Sequence, residues 1–299
     1  QCLKNNQIKI LFYYDEGDNP SVVGRYLDQL CVCYQLPLDC YRFVSANTAA
    51  KNIDKFFYLP CDELLYWDRN KDVAALLCHS QPRSRDFTAL VRLHKSWRAT
   101  VIADLLQHHV LDNSYWSYCE TGRLEDADNP IEIDQFDHLR TTTEQFLKSA
   151  PYVSDDLGQS ERNNHANIVD KYFVDSYCHI VLETHWDADQ SGGTFLTEKT
   201  FKPIKHGQMF FIAGPAGSLQ QLRDMGYRVF DDILDNSYDC EHNNTNRWHR
   251  LRQAIQQAQS NLPQLFKQAR ADIEHNQRLF LEPKTARLNI LLEQLNESY

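Results

Sequence analysis

The sequence predicts an α/β protein with parallel sheets, on three observations. The opening apolar run Ile8-Lys9-Ile10-Leu11-Phe12-Tyr13-Tyr14 passes through an acidic turn into helical spacing over 21–34, then returns to an extended run at 38–44. That is a βαβ unit. At the centre, His179-Ile180-Val181-Leu182, the flexible Ser191-Gly192-Gly193, a helical stretch starting near Thr197 and the apolar Met209-Phe210-Phe211-Ile212-Ala213 spell strand, glycine loop, helix, strand. The third observation is bulk: 299 residues, 42% of them hydrophobic, suffice for two medium domains or one large one with a real core, so disorder is not expected.

Charge and cysteine usage narrow the function classes. The net charge is −10 with both signs interspersed, which implies no broad positive surface for nucleic acid, so phosphate would be bound by a local basic pocket. None of the nine cysteines forms a Cys-x-x-Cys pair, and Cys31-x-Cys33 lacks histidines at zinc spacing, so most are expected to be reduced and buried. No run is long and apolar enough for a transmembrane helix, and the start Gln1-Cys2-Leu3-Lys4 lacks a signal-peptide apolar region. The expected location is the cytoplasm, or the periphery of a membrane.

In chain order, the first strand runs into Asp15-Glu16-Gly17-Asp18-Asn19-Pro20, and a helix follows with Val22, Val23, Tyr26, Leu27, Leu30 and Cys31 on its apolar side. The apolar runs 56–59 and 64–67 complete a small α/β sheet within the first eighty residues. Phe87-Thr88-Ala89-Leu90-Val91 returns as a strand, and Arg92-Leu93-His94-Lys95-Ser96-Trp97-Arg98 leads into helical spacing over 99–108. The segment 119–152 reads as an acidic surface excursion with a helix near 143–148, 158–164 is polar, and 168–177 shows helical spacing. Beyond Gly214-Pro215-Ala216-Gly217, Ser218 is the expected N-cap of a helix ended by Gly226, Tyr227-Arg228-Val229-Phe230 a further strand extending the sheet, and 246–296 largely helical with breaks at Pro263 and Pro283.

Chemistry gathers at three strand exits. In parallel sheets ligands collect at the carboxyl ends of strands, where helix N-termini point free N–H groups at anions, and Thr197-Glu198-Lys199 falls at such a place. Lys199 in the first helical turn suits a phosphate, and Glu198 suits a pair of sugar hydroxyls; the alternative is a solvated helix face. Arg92, Lys95 and Arg98 at a strand-to-helix turn suit a diphosphate, or form a solvated basic loop. Asp15 or Glu16, after the first strand, could deprotonate an attacking hydroxyl, or simply form a solvated turn; Asp62, Glu63 and Asp68 are weaker candidates of the same kind.

Ile180-Val181-Leu182-Glu183-Thr184, the glycine loop, Phe195-Leu196-Thr197-Glu198-Lys199 and Phe210-Phe211-Ile212-Ala213-Gly214-Pro215 together resemble the donor-binding region of the α1,3-fucosyltransferase family. There a strand ends in Phe-Glu-Asn, a loop leads to Tyr-Val-Thr-Glu-Lys, and a hydrophobic strand ends in Gly-Pro. The run Phe-Leu-Thr-Glu-Lys-Thr-Phe-Lys-Pro-Ile also resembles uncharacterised microbial and viral proteins. A second feature matches where an arginine opens a helix after a strand ending in Ser-Asn, although here Val91-Arg92 stand in place of Ser-Asn. The resemblance implies donor binding by Arg98, Thr197, Glu198, Lys199 and Glu183, beside Arg92 and Lys95. It also implies the GT-B arrangement, two Rossmann-like domains facing across a cleft with C-terminal helices.

The expected organisation is an acceptor-side domain at 1–80, a donor-binding domain at 81–268 and packing helices at 269–299. The expected reaction moves a sugar from a nucleotide-sugar donor to a hydroxyl of a glycan, lipid-linked sugar or protein, with Asp15 or Glu16 as base, inversion as the resemblance implies, and no resident cofactor or metal. Two rivals stand beside it. Asp187-Ala188-Asp189 has the spacing that holds Mn²⁺ or Mg²⁺ in other glycosyltransferases, although Asp-x-Asp recurs at 126–128. The other is a non-catalytic nucleotide- or glycan-binding protein of the same fold.

Overall fold

The computed structural model describes residues 2–5, 8–70, 82–118, 138–153, 170–187 and 191–298. It is a mixed α/β structure with two parallel sheets. The first has strands β1 (Ile10–Tyr14), β2 (Tyr41–Ser45) and β3 (Phe56–Tyr58) in sequence order, with α1 (Pro20–Cys33) crossing from β1 to β2. Asn19 caps α1 by accepting from the Ser21 N–H, and Pro20 occupies the first turn, where its missing N–H has no cost. The second apolar run, 64–67, lies on a helix, α2 (Cys61–Asn70).

The second sheet runs β5–β4–β6–β7, from β4 (Arg85–Val91), β5 (Tyr115–Tyr118), β6 (Ser176–Leu182) and β7 (Met209–Ala213). Helix α3 (Ser96–Gln107) carries the chain from β4 outward to β5, and after α4 (Arg140–Ser149) and α5 (Asp170–Val174) the chain returns to β6 beside β4. Helix α6 (Glu198–Lys205) then leads the other way, to β7. Adjacent β4 and β6 thus send their helices in opposite directions and leave a crevice at their carboxyl ends, where open α/β sheets bind ligands. Their register pairs Phe87 with Cys178 and Thr88 with His179, so the two strands end side by side. Every residue of β6 and β7 is buried, as expected of apolar strands covered on both faces.

Several expectations give way to longer-range contacts. The helix expected at 168–177 ends at Val174, because residues from Ser176 onward pair with β4 and β7; β5, four residues long and at the sheet edge, has too few residues to show a period. The strand expected at 227–230 is absent: the N–H and C=O of Arg228 bond to the side chain of Asn276 (2.8 Å each), Phe230 has a φ of 65°, and the sheet ends at β7. Ser218 is not the N-cap of α7 (Ser218–Asp224). Gly217 is, at φ 87°, and Asp239 accepts from the free N–H groups of Leu219 and Gln220. The seven described cysteines are all free, but Cys2, Cys33 and Cys240 are exposed. The expectations at 119–137 and 158–164 lie outside the described residues.

The C-terminal part is helical as expected: α8 (Asn244–Gln259), α9 (Leu262–Gln268), α10 (Arg270–Leu281) and α11 (Thr285–Glu297), with Pro263 in the first turn of α9. Helix α11 lies against the first sheet, where Leu291 and Leu295 pack with Val44 and Leu59, and the Arg42 guanidinium donates to the Ser298 backbone and hydroxyl. No helix among the described residues is long and apolar enough to cross a membrane.

The Asn276 side chain, 2% exposed, completes the hydrogen bonding of a segment no strand takes up. Asn276→Ala is therefore expected to destabilise the fold by about 1–3 kcal/mol in urea denaturation, the cost of orphaning buried backbone groups. A change below about 0.5 kcal/mol, usual for inert surface positions, would refute that account.

Candidate functional site

Glu183, directly after β6, is fully buried, and its carboxylate accepts four hydrogen bonds. These come from Thr184 N (3.1 Å), Thr197 N (3.1 Å), Thr197 Oγ1 (2.7 Å) and Thr200 Oγ1 (2.6 Å). Thr197 is the N-cap of α6, as its place in the sequence predicts, and accepts from the Lys199 N–H. A carboxylate spent in this way cannot contact a ligand. Its work is to fix the direction of α6 and the first-turn side chains Glu198 and Lys199.

The three cations of the 92–98 loop arrive at the same strand end. Arg98 donates from Nε (3.1 Å) and Nη2 (2.5 Å) to the Glu183 carbonyl and from Nη1 to the Leu93 carbonyl (3.4 Å). The sequence expects this arginine to meet phosphate directly. The guanidinium is instead 4% exposed and tied to backbone, so its charge acts from behind the strand end. Lys95 and Lys199 are better placed: Lys95 Nζ donates to the Thr184 carbonyl (2.7 Å), and Lys199 Nζ to the hydroxyls of Thr184 (3.4 Å) and Thr197 (3.0 Å). Glu198 lies between Lys199 and Lys202, 3.6 and 3.8 Å from their ammonium groups, and the charge of half-buried Arg92 acts on Lys202.

This crowding shifts protonation. Burial, then the charges of Arg98 and Lys199, pull Lys95 down to about 8. Burial also pulls Lys202 down to about 8, with Lys199 and Arg92 adding to the fall and Glu198 opposing it. His185 is lowered by burial and then by Lys95. Lys202 and His185 are site residues that the sequence reading missed. Lys202 stands one helical turn after Glu198, a spacing that could have shown it, whereas nothing local marks His185.

The first sheet supplies the opposite wall. Asn47 Nδ2 donates to the carbonyls of Gly17 (2.9 Å) and Ser191 (2.7 Å), and Thr48 N donates to Thr194 O (3.0 Å). A Cβ on Gly17 would lie 2.0 Å from the Phe195 ring, and one on Gly193 2.6 Å from Asn47 Oδ1, so both glycines permit close approach. The 15–18 loop is thereby brought to the cation cluster: the charges of Glu16 and Asp18 act on Lys95, and that of Asp18 on His185. Glu16 is exposed and Asp15 half-buried. Helix α2 packs against α6, and the charges of Glu198, Glu183, Lys199 and Asp15 act on Asp62 in its first turn.

Beside the 92–98 loop, Trp97 stacks on Trp186 (centroids 5.6 Å apart), with Arg98 over Trp97 and Arg247 over Trp186. Asp187 accepts from Asn244 (3.1 Å), and its candidate metal partner Asp189 lies outside the described residues, as do 126–128. Among the described residues no group of three or more His, Cys, Asp or Glu is placed to hold a metal ion. A groove of about 550 Å³ between β3 and α11, lined by Lys51, Tyr58, Arg287 and Glu297 among others, includes none of the cleft residues.

The chain matches no protein-family model, no curated protein and no solved structure. The chemistry of the cleft therefore rests on the geometry above.

Glu183→Ala leaves four donors without their acceptor and is expected to cost about 3 kcal/mol or more of stability, since each buried orphan costs about 1–3 kcal/mol. Thermal or urea unfolding checks this, and an unperturbed variant would mean that the carboxylate does not hold α6.

Proposed function

We propose that the protein is a glycosyltransferase that moves a sugar from a nucleotide-sugar donor to an acceptor hydroxyl. In this reading residues 1–80 form the acceptor side, 81–268 the donor side and 269–299 the packing helices of a GT-B arrangement. The donor's diphosphate sits between the 92–98 loop and the start of α6. The observation that carries the reading is the crowding of like charge at the crevice between β4 and β6. Lys95 and Lys202 are pulled down to about 8 by burial and neighbouring cations, a state that a bound anion relieves.

Each group then has a defined task. Lys95 and Lys199 hold the diphosphate and stabilise the charge that grows on it as the bond to the sugar breaks, while the buried charge of Arg98 adds to the field. Glu198, fixed by the turn that Glu183 organises, accepts from hydroxyls of the donor sugar. The half-buried Trp97, stacked on Trp186, offers a flat apolar surface for the nucleobase. A carboxylate of the first sheet, Asp15 or Glu16 by position, takes the acceptor's proton. Inversion at the anomeric carbon follows from the fucosyltransferase resemblance alone.

Calorimetry with GDP and UDP tests the donor site. Lys95→Ala and Lys199→Ala are each expected to weaken binding of the preferred nucleotide by about 1–3 kcal/mol, the range for bonds to charged groups. Affinity has a definite pH dependence. A bound diphosphate raises lysines that stand near 8 in the empty site, so binding takes up protons and weakens as pH rises from 7 to 9. Binding of neither nucleotide, or affinity unchanged by both substitutions, would refute the reading.

A further inference from the structure

We propose that Asp62 is the catalytic residue that accepts the proton of the attacking hydroxyl, an inference that rests on the glycosyl-transfer reading of this cleft. Asp62 stands in the first turn of α2, just beyond the carboxyl end of β3, on a helix that packs against α6, whose Glu198 and Lys199 act on it. Its two neighbours are anchored. Cys61 is buried and packs with Leu59 and Phe195, and Glu63 is wholly buried, bonded by Tyr227 Oη (2.6 Å) and paired with Arg287 (3.2 Å) and Lys284 (3.3 Å). The backbone that carries Asp62 is therefore fixed on both sides, as a catalytic group requires.

The carboxylate itself is not spent inside the protein. It is half-buried, and among the described residues no hydrogen bond or ion pair engages it. A half-buried carboxylate held in place and free of protein partners is available to accept a hydrogen bond from a ligand hydroxyl. The charged and titratable groups facing it are Tyr13 and Asp15 from β1 and its exit loop, Cys61 from α2, Glu183 from the end of β6, and Glu198 and Lys199 from α6. Burial, then Glu198 and Glu183, push Asp62 up to about 8, against the opposing pull of Lys199. A base near the working pH both accepts a proton readily and is populated in its ionised form. Glu16, by contrast, is exposed.

In the step, the acceptor oxygen forms its bond to the anomeric carbon as its proton passes to Asp62 Oδ. The bond from that carbon to the diphosphate oxygen breaks with its electron pair, which remains on the diphosphate among Lys95 and Lys199. Asp62 later loses the proton to water.

The test compares the full chain with Asp62→Asn in nucleoside diphosphate release from GDP- and UDP-sugars, with water and simple saccharides as acceptors, and in calorimetry with the free nucleotides. The variant is expected to keep nucleotide affinity within about twofold and to lose about 100-fold or more in turnover, the scale of general-base catalysis. It also lacks the acidic limb in kcat/KM that the parent shows below about pH 8. Its melting temperature reads the same charge independently. Asp62 is raised from 3.8 to about 8, so its ionisation weakens the parent's fold as pH rises through that interval, and the variant gains in Tm over the parent at pH 8 but not at pH 4. Parent-like turnover in Asp62→Asn, or survival of the acidic limb, overturns this assignment and leaves the donor-site reading standing. No release by the parent chain with any donor overturns both.

Discussion

One buried residue sets the geometry of the cleft. Glu183 closes β6 and presents its carboxylate to the first turn of α6 and its carbonyl to Arg98 at the start of α3. A single position therefore references the two basic loops to each other. Lys199 and Lys95 reach the next residue, Thr184, from opposite sides, so their spacing depends on Glu183 staying in place. A carboxylate with four bonds from two backbone N–H groups and two hydroxyls is stable in a dry interior; without them, its burial would be prohibitive.

Polar contacts between residues far apart in the chain tie the scaffold around the cleft. Glu63 joins α2 to Tyr227 and α11, Asn47 ties the exit loop of β1 to Ser191, and Ser298 is bonded to Arg42. In the cleft, burial first and like charges nearby second depress Lys95 and Lys202 and raise Asp62. Charges in this state are ones that a bound ligand would compensate, which is the premise of the proposed donor site. In the empty cleft the two shifts oppose each other in pH, and on the proposed reading a bound diphosphate that raises the lysines widens the range in which charged lysines and ionised Asp62 coexist.

Local pattern carried much of the fold. Apolar runs flanked by glycine and proline placed β1, β4, β6 and β7 to within a few residues, and the Thr197 cap was visible as a threonine before Glu-Lys. The cations at 92, 95, 98 and 199 were likewise legible, because each sits at a strand-to-helix junction where parallel sheets bind ligands. The failures share one cause. Tyr227-Arg228-Val229-Phe230 has the composition of a strand, but its backbone partner is an asparagine almost fifty residues away. Ser218 has the chemistry of a cap, but Asp239 supplies the capping oxygens.

The sequence by itself determined the α/β class, the parallel strands and the residues able to meet an anion, since these follow from periodicity and from chemistry at strand ends. Only the tertiary structure decided which of those residues are spent inside the protein and which face the cleft. Arg98 and Glu183 look like ligand groups in the chain and turn out to be bonded to backbone and cap, whereas Asp62 looks like an ordinary helix-start acid and turns out to be half-buried with no bond to it among the described residues. The reason is that hydrogen-bond satisfaction and burial are properties of neighbours brought from far along the chain, and no local pattern of residues encodes them.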